Sequence, residues 1–238
     1  FMASIMGIDG CRAGWFAVIK TASGWQTRLA SSLQHLLTDA KEFSRILIDI
    51  PIGLADGHKR ECDQLARRLL TPLRHTSVFS TPVRDAVYAH DYASACDINA
   101  RQTGTRITLQ AWNICPKIRE VDEFLRQHTE WAPKVYESHP EVAFYVLNNC
   151  QPMSSPKKSS EGQAERLALL TAHLGDSREI FEDAVTSHPR SELQKDDVID
   201  AMVLAVAAAQ ENNRLLSLPD PPPMDRYGLP MRIVYSAA

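Results

Sequence analysis

Two short apolar segments that each carry an aspartate near their end are the strongest constraint on how this chain can fold. The first is SIMGIDGC at residues 4–11, and the second is RILIDIPIG at residues 45–53. Apolar, β-branched runs of this length are typical of strands buried in a parallel sheet. Burial of an ionised carboxylate is unfavourable by several kcal/mol unless the group is paired. Asp9 and Asp49 therefore need either a partner of opposite charge or a chemical role.

The N-terminal part of the chain predicts a β-β-β-α-β order of elements. Strands are expected at 3–10, 15–22 and 25–30. Ser23-Gly24 suits the hairpin turn between the second and third of them. Leucines at helical spacing predict a helix over 32–43, ahead of the Asp49 strand. Because a helical crossover favours a parallel return, we expect this fourth strand to run parallel to the first.

The middle and end of the chain predict a sheet core interrupted by helices. Apolar residues at helical spacing predict a helical insertion over 56–131, with one of its helices beginning at Pro82. The sheet pattern resumes over 134–142, and a terminal strand is expected at 231–235. Further helices are predicted at 161–174, 177–186 and 193–213.

These elements predict a single α/β domain, and a chain of 238 residues is long enough to bury its core. The core comprises 2–55 and 132–215, and the insertion interrupts it over 56–131. A C-terminal extension follows over 216–238.

The last predicted helix carries acids where it enters the core. In KDDVIDAMVLAVAAA, Asp197 and Asp200 are three residues apart and Asp196 and Asp200 are four apart, so they share a helix face. Beyond Asp200 the sequence is apolar on all sides, which predicts a buried helix. Carboxylates in a first turn cap free amides and favour the helix dipole. That explanation covers Asp196 and Asp197 but does not cover Asp200.

One cause covers all of these acids. Taken singly, Asp9 can be a turn residue before Gly10, and Asp49 can pair with an arginine. Clustered carboxylates, however, repel one another unless a divalent cation lies among them, and oxygen ligands suit magnesium or manganese. We therefore predict a site for one or two such ions, formed by Asp9, Asp49, Asp197 and Asp200. A metal pair there would support phosphodiester hydrolysis, and the insertion is expected to pack at the rim of the site.

Several longer motifs resemble a single family. They are GIDGCRAGW, DIPIGL, SVFSTPVRDAV, LQAWNICPKIREVD, ESHPEVAF and KDDVIDAM, and they extend from about residue 5 to residue 235. Together they resemble the bacterial domain-of-unknown-function family four-two-nine, which comprises predicted nucleases of the ribonuclease H-like fold. The segment DDVIDAMVLAVA also resembles the final helix of the Holliday-junction resolvases of that superfamily.

The resemblance implies both a fold and a set of functional residues. The fold is a mixed five-stranded sheet, with three antiparallel and two parallel strands, flanked by helices. In it Asp9 is the acid of the first strand and Asp49 the acid of the fourth, where the superfamily often has the longer glutamate. The resemblance also assigns the acids of the late helix to Asp197 and Asp200. The activity implied is a metal-dependent nuclease that cleaves DNA or RNA.

Other residues are candidates for catalysis or for contacts with the substrate. Glu137 ends the predicted fifth strand and is included as a catalytic candidate. His139 beside it can act as a general acid or base, although a structural histidine before a proline is the more frequent case. Basic side chains that suit phosphate oxygens are Arg12, Arg74, Arg84, Lys157 and Lys158. For the loop arginines and the lysines, a solvated surface position is the alternative.

Two other functions stay open. GIDGCRAGW also resembles the first phosphate loop of the sugar kinase, actin and chaperone ATPase superfamily, which would make the protein an ATP-binding phosphotransferase. Those proteins carry two copies of the fold, and this chain has room for one. The other alternative is a binding module that keeps the scaffold without catalysis, and retention of all four aspartates argues against it.

Net charge and cysteine spacing disfavour several classes of protein. A net charge of −3 argues against a broad electrostatic surface for nucleic acid, though not against a local one. Five widely spaced cysteines without a C-x-x-C pair disfavour a zinc site or a disulfide framework and fit a reducing cytoplasm. The longest apolar run, 201–209, is too short to span a bilayer. We expect a cytoplasmic protein, monomeric or homodimeric, that does not engage membranes.

Overall fold

A five-stranded sheet forms the centre of the computed structural model, which describes residues 4–38, 43–210 and 214–237. Its strands are β1 (Ser4–Cys11), β2 (Gly14–Thr21), β3 (Gly24–Ala30), β4 (Phe43–Ile48) and β5 (Val135–Glu137). They lie in the order β3-β2-β1-β4-β5. The β1–β2 and β2–β3 pairs are antiparallel, and the β1–β4 and β4–β5 pairs are parallel. The predicted mixed sheet of three antiparallel and two parallel strands is confirmed.

Helices cover both faces of this sheet. Between β3 and β4 lies α1 (Leu33–Leu37). Between β4 and β5 lie α2 (Glu61–Leu69), α3 (Arg84–Val87), α4 (Tyr92–Thr103) and α5 (Leu109–Gln127). After β5 come α6 (Pro140–Leu147), α7 (Ser160–Thr171), α8 (Ser177–Ser187) and α9 (Lys195–Ala208). In the part of the chain described, no helix is long and apolar enough to cross a membrane.

Several helix boundaries differ from the predicted ones, and the helix predicted at 161–174 ends at Thr171. The helix predicted at 32–43 ends at Leu37, and the helix predicted to begin at Pro82 begins at Arg84. The helix predicted at 193–213 ends at Ala208. Residues 39–42 and 211–213, which those predictions included, lie outside the described residues.

The sheet separates two apolar layers. On one face Met6 and Ile8 of β1 pack with residues of α1 and α5, among them Ile118. On the other face Val18 of β2 and Leu47 of β4 pack with α9 and its neighbouring helices. The insertion was expected at the rim of the acidic site. Its residues Ser77, Gln110 and Lys117 do line the cavity onto which those acids open. Its longest helix, α5, also forms part of a core layer, because its apolar face is wide enough to cover the sheet.

A short antiparallel ribbon extends the sheet at its β5 edge. It consists of β6 (Leu215–Leu218) and β7 (Ile233–Ser236). The predicted terminal strand corresponds to β7, whereas β6 was not predicted and spans the expected boundary between core and extension. Ser138, just after β5, bridges to Val234, and its hydroxyl donates to the Val234 carbonyl at 2.8 Å. The C-terminal segment thus continues the edge that β5 leaves open.

Helix α9 lies directly against β1 because the strand has a glycine at the contact. A Cβ atom on Gly7 would lie 2.1 Å from the amide nitrogen of Ala205 and 2.4 Å from the carbonyl oxygen of Ala201. Every residue of α9 from Val198 to Ala208 is buried. The prediction of a buried helix is therefore confirmed, and small residues on both elements set its distance from the sheet.

We expect Gly7→Ala to destabilise the fold by at least ~1–3 kcal/mol, because the added methyl group meets the backbone of α9 and cannot be accommodated by a rotamer change. Urea unfolding followed by circular dichroism measures the change. Gly175→Ala is the matched control, since a Cβ there meets nothing within 4 Å. Equal stability of the two variants would contradict this account of the contact.

Candidate functional site

Asp9 and Asp49 lie side by side at the carboxyl edge of the parallel pair. Ile8 and Ile48 are partners in the β1–β4 register, and the Asp49 amide donates to the Ile8 carbonyl at 3.0 Å. Side chains alternate along a strand, so Asp9 faces the same side of the sheet as Gly7, which is the side that α9 covers. The same alternation places Asp49 on the side of Leu47. Both carboxylates therefore face α9.

Helix α9 brings its acids to the same point. Gly7 contacts Ala201 and Ala205, and Asp197 lies one turn before Ala201 on that face of the helix. One turn toward the N-terminus of α9 corresponds to two residues toward the end of β1, which places Asp197 opposite Asp9. The Asp197 side chain also accepts from the Gln194 amide at 2.9 Å, so the helix-capping role applies to it as well.

A lysine lies among these acids. The ammonium of Lys157 is 2.6 Å from Asp200 Oδ2, and the charge of Asp200 raises the pKa of Lys157. The loop that carries Lys157 is anchored by Arg74, which donates to the carbonyls of Met153 and Ser154 at 2.7 and 2.5 Å. Of the predicted phosphate-binding residues, Lys157 therefore reaches the acidic site, while Arg74 fixes the loop that presents it.

The four aspartates form a site with an excess of negative charge. Burial, and then the nearby Asp49, Asp200 and Asp197 in that order, hold the pKa of Asp9 well above its usual range. Burial followed by the charge of Asp200 raises the pKa of Asp49 to about 7. Burial is also the main cause that raises the pKa of Asp197 to about 6. Lys157 lowers all three values without restoring the ordinary ones, so the cluster lacks positive charge.

The acids open onto a cavity of about 260 Å³. Asp9, Asp49, Asp197 and Lys157 line it, together with Lys117, His139 and Glu141. Asp200 lies just behind this wall, 1% exposed, and its Oδ1 atom has no hydrogen-bond partner among the described residues. A buried carboxylate oxygen without a donor is costly, and a cation beside it would remove that cost.

Glu141 and His139 complete one wall of the cavity and were not predicted in this arrangement. Arg166 donates to Glu141 Oε1 at 2.5 Å, whereas Oε2 is buried and has no hydrogen-bond partner among the described residues. The Glu141 amide donates to His139 Nδ1 at 3.2 Å, so the proton of the neutral ring lies on Nε2. The sequence signal for Glu141 was an acid directly after a proline that begins a helix, which by itself indicates only an N-terminus.

Lys117 was also missed by the sequence analysis. Its ammonium donates to the Gly14 carbonyl at 2.5 Å and lies 4.4 Å from the centre of the Trp15 ring. Burial lowers the pKa of Lys117. Lys117 follows Pro116 inside α5, and nothing in its spacing relates it to the acids.

Glu137 takes a structural position, so its inclusion as a catalytic candidate is corrected. Arg60 donates to both of its carboxylate oxygens, at 2.7 and 2.6 Å, and the Ile52 amide donates to it at 2.7 Å. Cys62, Asp63 and Glu137 offer ligand atoms that all lie within 4.8 Å of one another. The Arg60 guanidinium already supplies the cation of that group, 3.5 Å from Asp63. Within the described chain, no three of the four site aspartates meet the same limit.

Arg84 is likewise structural rather than a contact for substrate. It is 4% exposed and pairs with Asp122 at 2.7 Å and with Asp225 at 2.6 Å. This buried network joins α3, α5 and the C-terminal segment. Arg12 and Lys158, in contrast, line a second cavity next to the acidic one.

Fold and site together define an α/β protein with a cluster of aspartates at the carboxyl edge of its parallel strands. The chain belongs to the family described as protein of unknown function (DUF429), whose model matches residues 7–224. The family predicted from the motifs is therefore confirmed. No curated protein matches the chain, and no solved structure matches it.

The raised acid pKa values predict how stability depends on pH in a metal chelator. Unfolded Asp49 titrates near 3.8 and folded Asp49 near 7, so the folded state binds the proton more tightly. Stability is then highest below pH 3.8 as far as this group is concerned, and it falls as pH rises toward about 7. Asp197 acts in the same direction.

Between those pH values the wild type should lose on the order of a few kcal/mol of folding stability through Asp49. We expect Asp49→Asn to abolish this loss, because the amide does not titrate. Melting temperatures of wild type and variant across this range provide the measurement. Asp183→Asn, on the exposed surface of α8, is the control and should follow the wild type. A variant whose melting temperature falls with pH as steeply as that of the wild type would refute the electrostatic account.

Proposed function

We propose that this protein is a divalent-metal-dependent nuclease that hydrolyses phosphodiester bonds of DNA or RNA. The observation that carries the proposal is Asp200 Oδ1, a buried carboxylate oxygen that no donor of the described residues reaches, in a cluster with three further aspartates. The ribonuclease H-like identity of the fold is part of the proposal. It is supported by the order of elements, with acids on the first strand, after the fourth strand and on the late helix.

The donor set suits magnesium or manganese. Asp9, Asp49, Asp197 and Asp200 would hold the ion or ions, and they offer only oxygen atoms, the ligands that these hard cations prefer. A divalent cation bound there supplies positive charge that polarises a phosphodiester toward attack by water. Glu141 Oε2, also without a donor, is a further oxygen on the same wall.

The chain's own residues provide the remaining functions of such a site. Lys157 and Lys117 lie on the cavity wall, where their ammonium groups can bind phosphate oxygens and hold the scissile group in place. His139 presents an N–H at Nε2, which lies 3.4 Å from the Ser77 carbonyl oxygen, and this loose contact leaves it able to donate a hydrogen bond to a phosphodiester oxygen. Its ring is oriented by the Glu141 amide, and burial lowers the pKa of His139, which keeps the ring neutral.

Asp49 separates this proposal from a purely structural role for the acids. Among the described residues no ion pair is formed by Asp49, so the alternative of an arginine partner is not supported. Its position beside Asp9, with the charge of Asp200 nearby, suits a role as a metal ligand.

We expect magnesium or manganese to raise the melting temperature of the wild type, because a ligand at hundredfold excess over its Kd stabilises the folded state by ~2.7 kcal/mol. In chelator at neutral pH, Asp49→Asn should melt above the wild type, since one repelling charge is gone, and it should gain little from added metal. If Asp49→Asn instead melts lower in every buffer, its carboxylate stabilises the fold and is not a metal ligand.

The activity test uses a panel of labelled DNA and RNA, in single-stranded, duplex and branched forms, incubated with manganese or magnesium. We expect cleavage that chelator abolishes and that Asp9→Asn reduces by at least about a hundredfold, the scale of loss when one essential catalytic group is removed. Asp183→Asn should cleave like the wild type. Cleavage that persists equally in Asp9→Asn or in chelator would reject the proposed site.

A further inference from the structure

A second cavity, of about 590 Å³, lies beside the acidic one and is strongly basic. Four of its lining residues are cationic: Arg12, Lys158, Arg190 and Lys195. The others are one acid and three neutral residues: Asp196, Ser160, Gln163 and Gln194. The protein as a whole has a net charge of −3, so this concentration of positive charge is local.

These four cations are not used by the fold. Across the described ranges none of them forms an ion pair or a side-chain hydrogen bond. Two exposed arginines elsewhere do form ion pairs, Arg106 with Asp97 at 3.0 Å and Arg226 with Asp56. A group of unpaired cations around one cavity is complementary to a ligand with several negative charges.

In three segments of the chain, residues close together in sequence line the two cavities separately. Asp197 lines the acidic cavity and Asp196 the basic one. In the loop before α7, Lys157 lines the acidic cavity and Lys158 the basic one. Asp9, near the end of β1, lines the acidic cavity, and Arg12, in the turn after β1, lines the basic one. A ligand bound in one cavity therefore lies next to a ligand bound in the other.

Two helix N-termini add to the positive potential of the basic cavity. Ser160 and Gln163 belong to the first turn of α7, and Gln194 and Lys195 lie at the start of α9. The helix dipole at such ends favours anions, most of all phosphate groups. Charge and backbone therefore favour the same ligand.

We propose that the basic cavity binds a phosphate next to the scissile one on a polynucleotide strand. The inference rests on the proposed nuclease function and restricts the substrate of that nuclease to polynucleotide strands. The acidic cavity receives the scissile phosphodiester, and the cations beside it bind the following part of the same backbone. The substrate is thus a strand with at least two phosphodiesters, and a mononucleotide or small phosphate ester leaves the basic cavity empty.

Binding in the absence of cleavage tests this inference. A labelled single-stranded oligonucleotide of about a dozen nucleotides, a length within the range that single-strand sites cover, is titrated with protein and followed by fluorescence anisotropy. Separate titrations contain chelator or calcium, at salt concentrations from about 50 to 200 mM. The proteins are wild type, the double variant Arg12→Gln/Arg190→Gln, and the control Arg68→Gln/Arg178→Gln, which removes two exposed arginines outside both cavities.

We expect Arg12→Gln/Arg190→Gln to weaken binding about tenfold at low salt, because two charge-assisted contacts to phosphate are lost. The slope of log K against log salt should become shallower by roughly 1.4, since each single-strand phosphate contact contributes about 0.7. The control variant should match the wild type in both quantities. All three proteins should melt alike, since the substituted arginines form no ion pair with any residue that the structure describes.

Three results would overturn the inference. One is equal affinity and slope for the two double variants. Another is a wild type that does not bind the oligonucleotide in either chelator or calcium. The third is displacement of the oligonucleotide by an oligoglutamate peptide as readily as by unlabelled oligonucleotide, which would assign the cavity to acidic peptides. Failure of the nuclease proposal is distinct from these, because it would appear as an uncut strand that still binds through Arg12 and Arg190.

Discussion

The contact between α9 and β1 is the constraint on which the rest of this structure depends. Gly7 lets the helix backbone approach the strand, with the carbonyl of Ala201 and the amide of Ala205 against the missing side chain. Because protein interiors tolerate almost no extra volume, this contact fixes both the distance and the register of the two elements. The register then places Asp197 opposite Asp9. The acidic site is thus a consequence of small residues in the core, not only of the acids themselves.

Arginine and lysine have different roles in this fold. Arg60, Arg84 and Arg166 are buried and pair with carboxylates, which joins the insertion to β5 and to the C-terminal segment and joins α7 to α6. Lys117 and Lys157 instead line the acidic cavity. A planar guanidinium suits fixed pairing, whereas an ammonium on a flexible stem suits a partner that changes.

Much of this arrangement was predictable from the sequence. Apolar, β-branched runs predicted the strands that lead into Asp9 and Asp49, because strands buried on both faces have a composition that loops do not. The all-round apolar character of α9 predicted its burial. Both signals are local, and each depends on residues close together in the chain.

The residues that were misjudged depend on distant contacts. Glu137 seemed catalytic because it ends a strand, yet its partner Arg60 lies 77 positions away, and no spacing rule connects them. Arg84 similarly pairs with Asp225, 141 positions away. Glu141 was not predicted as a site residue, because its position at the start of a helix already explains an acid there. That its Oε2 atom has no donor among the described residues can be seen only in the structure.

The lysine bonded to Asp200 has a consequence for how the protein is made. Small domains that depend on a structural metal remain unfolded until the ion arrives, because nothing else neutralises their ligands. Here Lys157 is an internal counter-ion, already attached to the chain and present at any metal concentration. If the site binds the ion proposed above, folding and metal loading would be separate events. A newly synthesised molecule could then reach its final form while free magnesium is scarce, and the ion would compete with a tethered cation for Asp200.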